Sequence, residues 1–245
     1  MKSLYLLIDV GTILVPFVFS FHPKLKFYKT WNAFFPAVFI AAVIFLVWDA
    51  LFTHLGVWGF NPAYITGFRL WNLPIEEILF FFCIPYACVF TFHCLQLTVF
   101  INLSRKYETA ITLFLILAFA AIGLLHFDRL YTASTFLSFS FLLVLAKYIF
   151  KVTWLTTFYA TYAVLLIPFF IVNGLLTGTG LDAPVVWYND AENLGIRLLT
   201  IPVEDLFYGM ELFLLNLLVY QRLKQPHIIS SVHKPGKKKV AISGK

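Results

Sequence analysis

The sequence predicts an all-α membrane protein in which seven transmembrane helices form two parallel three-helix repeats joined by a linker helix. Three observations predict it: an apolar composition, seven apolar runs and an internal repeat. Of the 245 residues, 61% are hydrophobic and 12% are charged, and the mean hydropathy is +0.86. A soluble domain carries about 25% charged residues. This composition therefore excludes a soluble globular domain.

Seven continuous apolar runs predict the helices. Crossing a hydrocarbon core of about 30 Å takes roughly 17–25 helical residues. Because the runs are continuous rather than alternating, they exclude a β-barrel. The first run ends without a small-residue cleavage site, so it is interpreted as a helix rather than a secretory signal. The predicted helices are Tyr5–Phe21, Ala33–Phe52, Ile75–Ile101, Thr109–Leu125, Ala133–Phe150, Trp154–Leu176 and Val203–Tyr220.

An internal repeat links the two halves of the chain. Residues 61–77 match residues 189–205 at a constant offset of 128, and the matched positions include Asn, Gly, Arg, Pro and Glu. Upstream, residues 48–53 resemble residues 172–177 at an offset of 124, because the second loop carries four extra residues. Four helices separate equivalent positions, so the two units have the same orientation.

The repeat predicts a division of the chain into four parts. Each half is a unit of three helices, and the fourth helix joins the two units. The predicted parts are a first repeat at 1–104, a linker helix at 105–130, a second repeat at 131–224 and a basic flexible tail at 225–245.

The distribution of positive charge predicts the orientation. Of the 18 Lys and Arg residues, 14 fall on one side of the predicted membrane and four on the other, namely Lys2, Arg69, Arg129 and Arg197. The positive-inside rule then predicts a multi-pass protein of the cytoplasmic membrane with its N-terminus outside and its C-terminus in the cytoplasm. The net charge of +6 follows from these loops and the tail, so no nucleic-acid partner is expected. The tail is either solvated or in contact with anionic lipid headgroups.

A carboxylate motif opens the third and seventh helices. Both copies read Pro-x-Glu-acid, as Glu76 with Glu77 and Glu204 with Asp205. Acids near a helix start are favoured by the helix dipole, which is the simpler explanation. However, acids close to hydrocarbon cost roughly 2–4 kcal/mol each unless paired or protonated, and they usually mark function. The duplicated pair favours a functional role for these acids.

Further polar residues are predicted to position the acids. Arg69 and Arg197 precede the motif acids in phase, and Asn61 and Asn189 lie eight residues earlier. We expect them to pair with the acids or to hold them in place. Within the helices, three more residues are candidates for the interior, and for Asp49 and Asn173 an ordinary interhelical hydrogen bond is at least as good an explanation. These are Asp49, Asn173 and Glu211.

Aromatic residues are far more frequent than helix packing requires, with 29 Phe, 12 Tyr and 6 Trp. Trp58, Trp71 and Trp187 fit an interfacial belt. Aromatic faces could also line a cavity for a long apolar polyene and stabilise a cation through their ring quadrupoles. The candidates for this lining are Phe80, Phe81, Phe82, Phe207 and Tyr208.

No metal or other cofactor is expected from the sequence. Three cysteines lie within the third helix at spacings of five and six, which suit neither a redox pair nor zinc, and the six histidines are scattered. A Gly-rich dinucleotide fingerprint is also absent.

The two acidic motifs, each ending a polar loop and opening a membrane helix in a tandem three-helix repeat, resemble the lycopene cyclase domain family. The resemblance covers nearly all of residues 1–222. It implies a lycopene β-cyclase that converts the linear ends of lycopene into β-ionone rings without net redox change. Lycopene and related carotenoids would be substrates, and other carotenoid enzymes possible partners. Glu76 and Glu204 would be the principal acid and base, with Glu77 and Asp205 sharing or tuning that work.

Two other functions stay open at this point. A three-plus-one-plus-three parallel repeat also builds small-solute carriers, although the motif acids lie near one membrane face and the lining is aromatic. A non-catalytic carotenoid-binding subunit would keep the cavity and tolerate loss of the acids. A retinal protein is disfavoured because residues 203–220 contain no Lys for a Schiff base.

Overall fold

The computed structural model describes residues 2–98 and 104–224 and is mainly helical. A helix occupies each of the seven predicted runs, with ends shifted by a few residues. The predicted end of the third helix at Ile101 and the predicted tail at 225–245 lie outside the described residues. The helices are α1 Leu4–Phe19, α2 Trp31–Leu55, α3 Ile75–Thr98, α4 Arg105–Leu125, α5 Leu130–Val144, α6 Leu155–Leu176 and α7 Val203–Lys224, with a π-helical turn at Leu145–Ile149 after α5.

Five helical segments of the described chain are long and apolar enough to cross a membrane, and these contain α2, α3, α4, α5 and α6. Large apolar side chains on their outer faces are exposed, such as Phe39 and Val47 on α2, each 61% exposed. Such faces suit lipid rather than water. The remaining two helices differ, since α1 has 16 residues and α7 carries three acids in its first nine residues. The protein is a membrane protein, and the crossing of all seven helices stays a prediction.

The loops before α3 and α7 fold alike. In the first, β2 (Arg69–Leu70) pairs with β3 (Leu73–Pro74), and in the second, β5 (Arg197–Leu198) pairs with β6 (Ile201–Pro202). Each hairpin turns at a residue with positive φ, 56° at Trp71 and 59° at Leu199. The equivalent residue of each unit thus adopts the same strained conformation. Each hairpin delivers a proline to the residue before a helix, where its fixed φ suits the helix start.

The two loops are joined by a short antiparallel strand pair. Strand β1 (Trp58–Phe60) pairs with β4 (Val186–Tyr188), and Gly59 lies directly opposite Trp187. These two residues are also equivalent in the repeat, since their numbers differ by 128. A Cβ atom at Gly59 would overlap the indole ring of Trp187. The pairing therefore needs one residue without a side chain at this point.

The helices pack around α3 and α7. Helix α1 lies along α3, α5 lies along α7, α2 contacts both α3 and α7, and α4 packs on α5. The largest group of buried side chains, dominated by Phe, Tyr and Leu, fills the end of the bundle away from the strands. A second buried group surrounds β1 and β4. Between these groups, the bundle leaves a cavity next to the motif acids.

Candidate functional site

The cavity lies between α1, α3, α6 and α7 and is closed at one end by β1 and β4. Its volume is about 1040 Å³ when its open mouth is included. On α6 the lining extends from Tyr162 to Leu176, which spans roughly 21 Å at 1.5 Å per residue. Aromatic and aliphatic side chains provide most of the wall. The shape is therefore an elongated apolar space with polar groups gathered near the strands.

One acid of the motif from each repeat reaches this cavity. Glu77 on α3 accepts a hydrogen bond from the hydroxyl of Tyr5 at 2.5 Å, and Asp205 on α7 accepts one from Tyr131 at 2.6 Å. All four residues line the cavity. Tyr5 lies at the start of α1 and Tyr131 at the start of α5, 126 residues apart. The two repeats thus build the same Tyr–acid pair and present both pairs to a single space.

Asp205 is held by two further donors. Asn173 of α6 donates to its Oδ2 at 2.8 Å, and the Tyr188 hydroxyl of β4 donates to the same atom at 3.0 Å. Burial, and then the charge of Asp205, raise the pKa of Tyr188 well above its ordinary value, so this hydroxyl keeps the proton that it donates. Hydrogen bonds to a carboxylate stabilise its charged form. Three donors therefore stabilise the charged form of Asp205, whereas Glu77 has one.

The other motif acid of each pair points away from the cavity and holds the preceding loop. Glu76 accepts the backbone N–H of Thr66 at 2.6 Å, and Glu204 accepts that of Leu194 at 2.8 Å. Thr66 and Leu194 are equivalent in the repeat. Glu204 also accepts a bond from Thr132 of α5 at 2.7 Å. Both glutamates are fully buried and do not line the cavity, so direct contact with a bound molecule falls to Glu77 and Asp205.

The Arg and Asn residues that recur before the acids in both repeats contact other groups than the sequence led us to expect. Arg69 donates to the carbonyl of Asn72 at 2.9 Å, and Arg197 donates to that of Thr200 at 2.8 Å and forms an ion pair with Asp190. Neither arginine pairs with a motif acid within the described residues, so the expectation of direct pairing was wrong. Each arginine instead closes its hairpin, because its guanidinium reaches the carbonyl three residues later.

The two loop asparagines also act on the backbone. The Oδ1 atom of Asn61 accepts the N–H of Ala63 at 3.0 Å, and that of Asn189 accepts the N–H of Ala191 at 3.1 Å. These are local turns of the kind that Asn side chains stabilise. Their influence on the acids is therefore indirect and passes through the shape of the loop.

Of the three interior candidates, two lie at the cavity. Asp49 lines it and accepts a hydrogen bond from the indole N–H of Trp58, and its other oxygen has no partner within the described residues. Asn173 lines it as the partner of Asp205. Glu211 does not line it, and it accepts a bond from Ser138 of α5 at 3.0 Å.

The aromatic residues expected to line a cavity lie in different places. Phe80 and Tyr208 line the cavity, whereas Phe81, Phe82 and Phe207 do not. Phe207 packs against the rings of α4 and α5 instead, because its position rotates it to the outer side of α7. The expectation that Trp58 belongs to an interfacial belt was wrong, because Trp58 is buried in the cavity wall. Trp71, 84% exposed, and Trp187, 43% exposed, suit a membrane interface.

Some site residues were missed in the sequence. Tyr5, Tyr131 and Tyr188 were missed because a tyrosine in or beside an apolar run carries no distinct signal, although alignment of α1 with α5 would have paired the first two. Asp9 of α1 was also missed. It is 1% exposed, and neither of its oxygens has a partner among the described residues. A lone acid in an apolar helix is itself a signal of function.

Within residues 2–98 and 104–224, no group of three or more His, Cys, Asp or Glu side chains is arranged to hold a metal ion. The polar groups at the cavity are carboxylates, hydroxyls, an amide and an indole. These groups can donate, accept and transfer protons, and the surrounding rings can stabilise positive charge.

The fold and the site together define a helical membrane protein with paired carboxylates in an aromatic cavity built by two repeats. The chain belongs to the lycopene cyclase family, whose model matches residues 2–95 and 128–223. The resemblance seen in the sequence is thereby confirmed, and the chain is a carotenoid cyclase-type enzyme of the membrane. Comparison with curated proteins gives no match, and comparison with solved structures gives none.

Proposed function

We propose that this protein is a lycopene β-cyclase, which closes the linear ends of lycopene into β-ionone rings by acid–base chemistry without net redox change. The observation that carries the proposal is the meeting of Glu77 and Asp205, one from each repeat, at the same end of one aromatic cavity. An elongated apolar cavity suits a polyene whose end group reaches the acids. The two repeats then share one site.

In this reaction an acid protonates the terminal double bond, and a neighbouring double bond attacks the resulting tertiary cation. A base then removes a proton from the ring. The two motif acids at the cavity, Glu77 and Asp205, can serve the two proton transfers. Tyr208, Phe80 and Trp58 present aromatic side chains along the wall, where ring quadrupoles can stabilise the cation. The apolar lining keeps water from adding to it.

The surroundings of the two acids support different roles for them. Glu77 receives one hydrogen bond, from Tyr5, and its neighbours include the carboxyl groups of Asp9 and Asp49. Like charges disfavour ionisation, so this group of acids retains protons. Asp205 receives three hydrogen bonds, which favour its anion. Glu77 is therefore the proton donor and Asp205 the base, while Glu76 and Glu204 hold the loops that position them.

The membrane setting forms part of the proposal. The charge distribution supports a cytoplasmic-membrane protein with the motif loops outside and the basic tail inside. Residues 1–104 and 131–224 would be the two cyclase repeats, with the helix at 105–130 as linker. Other carotenoid enzymes are possible partners, since a substrate this apolar passes between proteins more readily than through water.

Expression in a lycopene-accumulating bacterium tests the proposal. We expect the wild type to yield cyclised carotene on chromatography and Glu77→Gln to leave lycopene. Asp182→Asn is the control, because Asp182 is exposed in the loop before β4 and its variant should match the wild type. Lycopene persisting beside well-folded wild type would overturn the proposal, as would full activity of Glu77→Gln.

A further inference from the structure

Each cyclisation leaves the two acids in the wrong protonation states. Glu77 has given a proton to the terminal double bond and is a carboxylate. Asp205 has taken a proton from the ring and is a carboxylic acid. No proton is gained or lost overall, so the site is restored when one proton returns from Asp205 to Glu77. The apolar cavity contains few groups that can carry it.

Tyr208 lies where such a carrier is needed. It follows Asp205 by three residues on α7, so both side chains project from the same face of the helix. Its ring is fixed by the rings of Phe45 at 5.1 Å and Trp48 at 5.2 Å between centroids. Its charged neighbours include both Glu77 and Asp205. The side chain thus lines the same cavity as the donor and the base and is close enough to feel the charge of both.

The hydroxyl of Tyr208 differs from the other tyrosine hydroxyls of the cavity. Those of Tyr5, Tyr131 and Tyr188 donate to the two acids, and that of Tyr162 donates to the carbonyl of Leu206. Tyr208 lines the cavity, and its hydroxyl has no hydrogen-bond partner in the described part of the chain. It is therefore free to exchange partners, which a proton carrier must do.

The repeat shows that this hydroxyl is not a packing requirement. The equivalent residue in the first unit, 128 positions earlier, is Phe80, which lines the same cavity. An aromatic ring occupies this position in both units, and the second unit adds a hydroxyl. The extra oxygen therefore stands beside the acid that must lose a proton after each turnover.

We propose that Tyr208 returns the proton from Asp205 to Glu77 after each cyclisation. This inference rests on the proposed function. Once the product has left, the Tyr208 O–H gives its proton to the Glu77 carboxylate, and its oxygen receives the proton of Asp205. Each transfer is direct or passes through one water molecule in the emptied cavity. Tyr208 ends unchanged, and Glu77 is again an acid and Asp205 a carboxylate.

Rapid-quench kinetics with purified protein in lipid nanodiscs and excess lycopene test this role. The variant is Tyr208→Phe, and the matched control is Tyr162→Phe, another cavity tyrosine that contacts neither acid. We expect Tyr208→Phe to form about one cyclised end per protein at the wild-type rate and then to slow by about tenfold or more. The slow phase should slow further in D₂O, since it is limited by proton transfer. In Tyr162→Phe, the first and later turnovers should proceed at the same rate.

The outcomes separate this role from the others. A first turnover slowed as much as later ones would overturn the relay, because Tyr208 would then act in the chemistry or in folding. An unchanged steady rate would also overturn it. A slow phase insensitive to D₂O would show limiting product release and sink the proposal. If the wild type forms no cyclised product, the proposed function fails and the relay with it.

Discussion

The two repeats present the same Tyr–acid pair to the cavity but surround it with different chemistry. Near Glu77, the first repeat places Asp9 and Asp49, which have oxygens without a partner among the described residues. At the equivalent positions the second repeat has Thr135 and Asn173, and Asn173 donates to its acid. Duplication thus supplied two similar carboxylates, and in the proposed mechanism the different residues around them suit one to donate a proton and the other to accept one.

The largest effect should come from exchanging each acid for its amide. Glu77→Gln should leave unreacted lycopene, with activity lower by about 10²–10⁴-fold, because the donor is lost. Asp205→Asn should still permit protonation and ring closure, so the ring cation loses a proton elsewhere or takes up water. Chromatography with mass spectrometry should detect such abnormal cyclised products. The same products from Glu77→Gln would reverse the assignment of acid and base.

Removing the hydroxyl of Tyr5 should reduce activity more than removing that of Tyr131, because Glu77 has one hydrogen-bond donor and Asp205 has three. Tyr5→Phe removes the hydrogen bond found on Glu77, and we expect activity to fall by about tenfold, or about 1.4 kcal/mol in the barrier. Tyr131→Phe leaves Asp205 with two donors, so its loss should be smaller. Initial rates in vesicles measure both variants. Equal losses would show that the number of donors does not distinguish the two halves.

The loop-holding glutamates should affect stability more than catalysis. Glu204→Ala leaves the Leu194 amide and the Thr132 hydroxyl without a partner, and an unpaired buried donor costs about 1–3 kcal/mol. Glu76→Ala leaves one donor, the Thr66 amide, without a partner. Its loss of unfolding free energy should therefore be smaller than that of Glu204→Ala. Thermal unfolding in detergent measures the difference. As the matched control, Glu76→Gln can still accept the amide and should keep most activity; loss of cyclisation in that variant would return Glu76 to the catalytic role expected from the sequence.

The smallest effect should come from the ion pair between Arg197 and Asp190. The first repeat lacks this pair, because the residue equivalent to Asp190 is Pro62. Although burial acts in the opposite direction, hydrogen bonds from Arg197 and Asn193 hold the pKa of Asp190 below its ordinary value. A lowered native pKa stabilises the fold above the usual Asp pKa of about 3.9, and this contribution is lost as the pH falls through the native pKa.

The contribution should stay below about 1 kcal/mol, because solvent screens an exposed pair. The stability difference between wild type and Asp190→Asn should therefore be small at pH 7 and shrink below pH about 3.9. Thermal unfolding of both proteins across this range measures it. A difference that grows as the pH falls would contradict the expected sign.

The sequence predicted the helices and the repeat well, since apolar runs and constant offsets are carried by the chain itself. It identified all four motif acids but ranked Glu76 and Glu204 above Glu77 and Asp205. Adjacent helical residues project about 100° apart, and which of them faces a cavity depends on the rotation of the whole helix. That rotation is set by packing between α3 and α7, which no local pattern encodes.

The roles of the loop residues were also beyond a local pattern. Constant spacing showed that Arg69 and Arg197 belong to the same unit as the acids. It could not show whether each guanidinium reaches the acids or stops at a carbonyl of its own hairpin, three residues later. Only the positive φ at Trp71 and Leu199 brings those carbonyls within reach.

The contact between Gly59 and Trp187 determines which halves can associate. Both occupy the same position of their repeat, and they face each other across the strand pair. Two first units brought together in this way would place Gly against Gly and leave a gap, while two second units would force two indole rings into one space. A unit therefore discriminates against its own copy, and specificity of this kind comes from penalties on wrong pairs as well as from contacts in the right one. The fused chain thereby carries the selectivity of an obligate pair of unlike subunits.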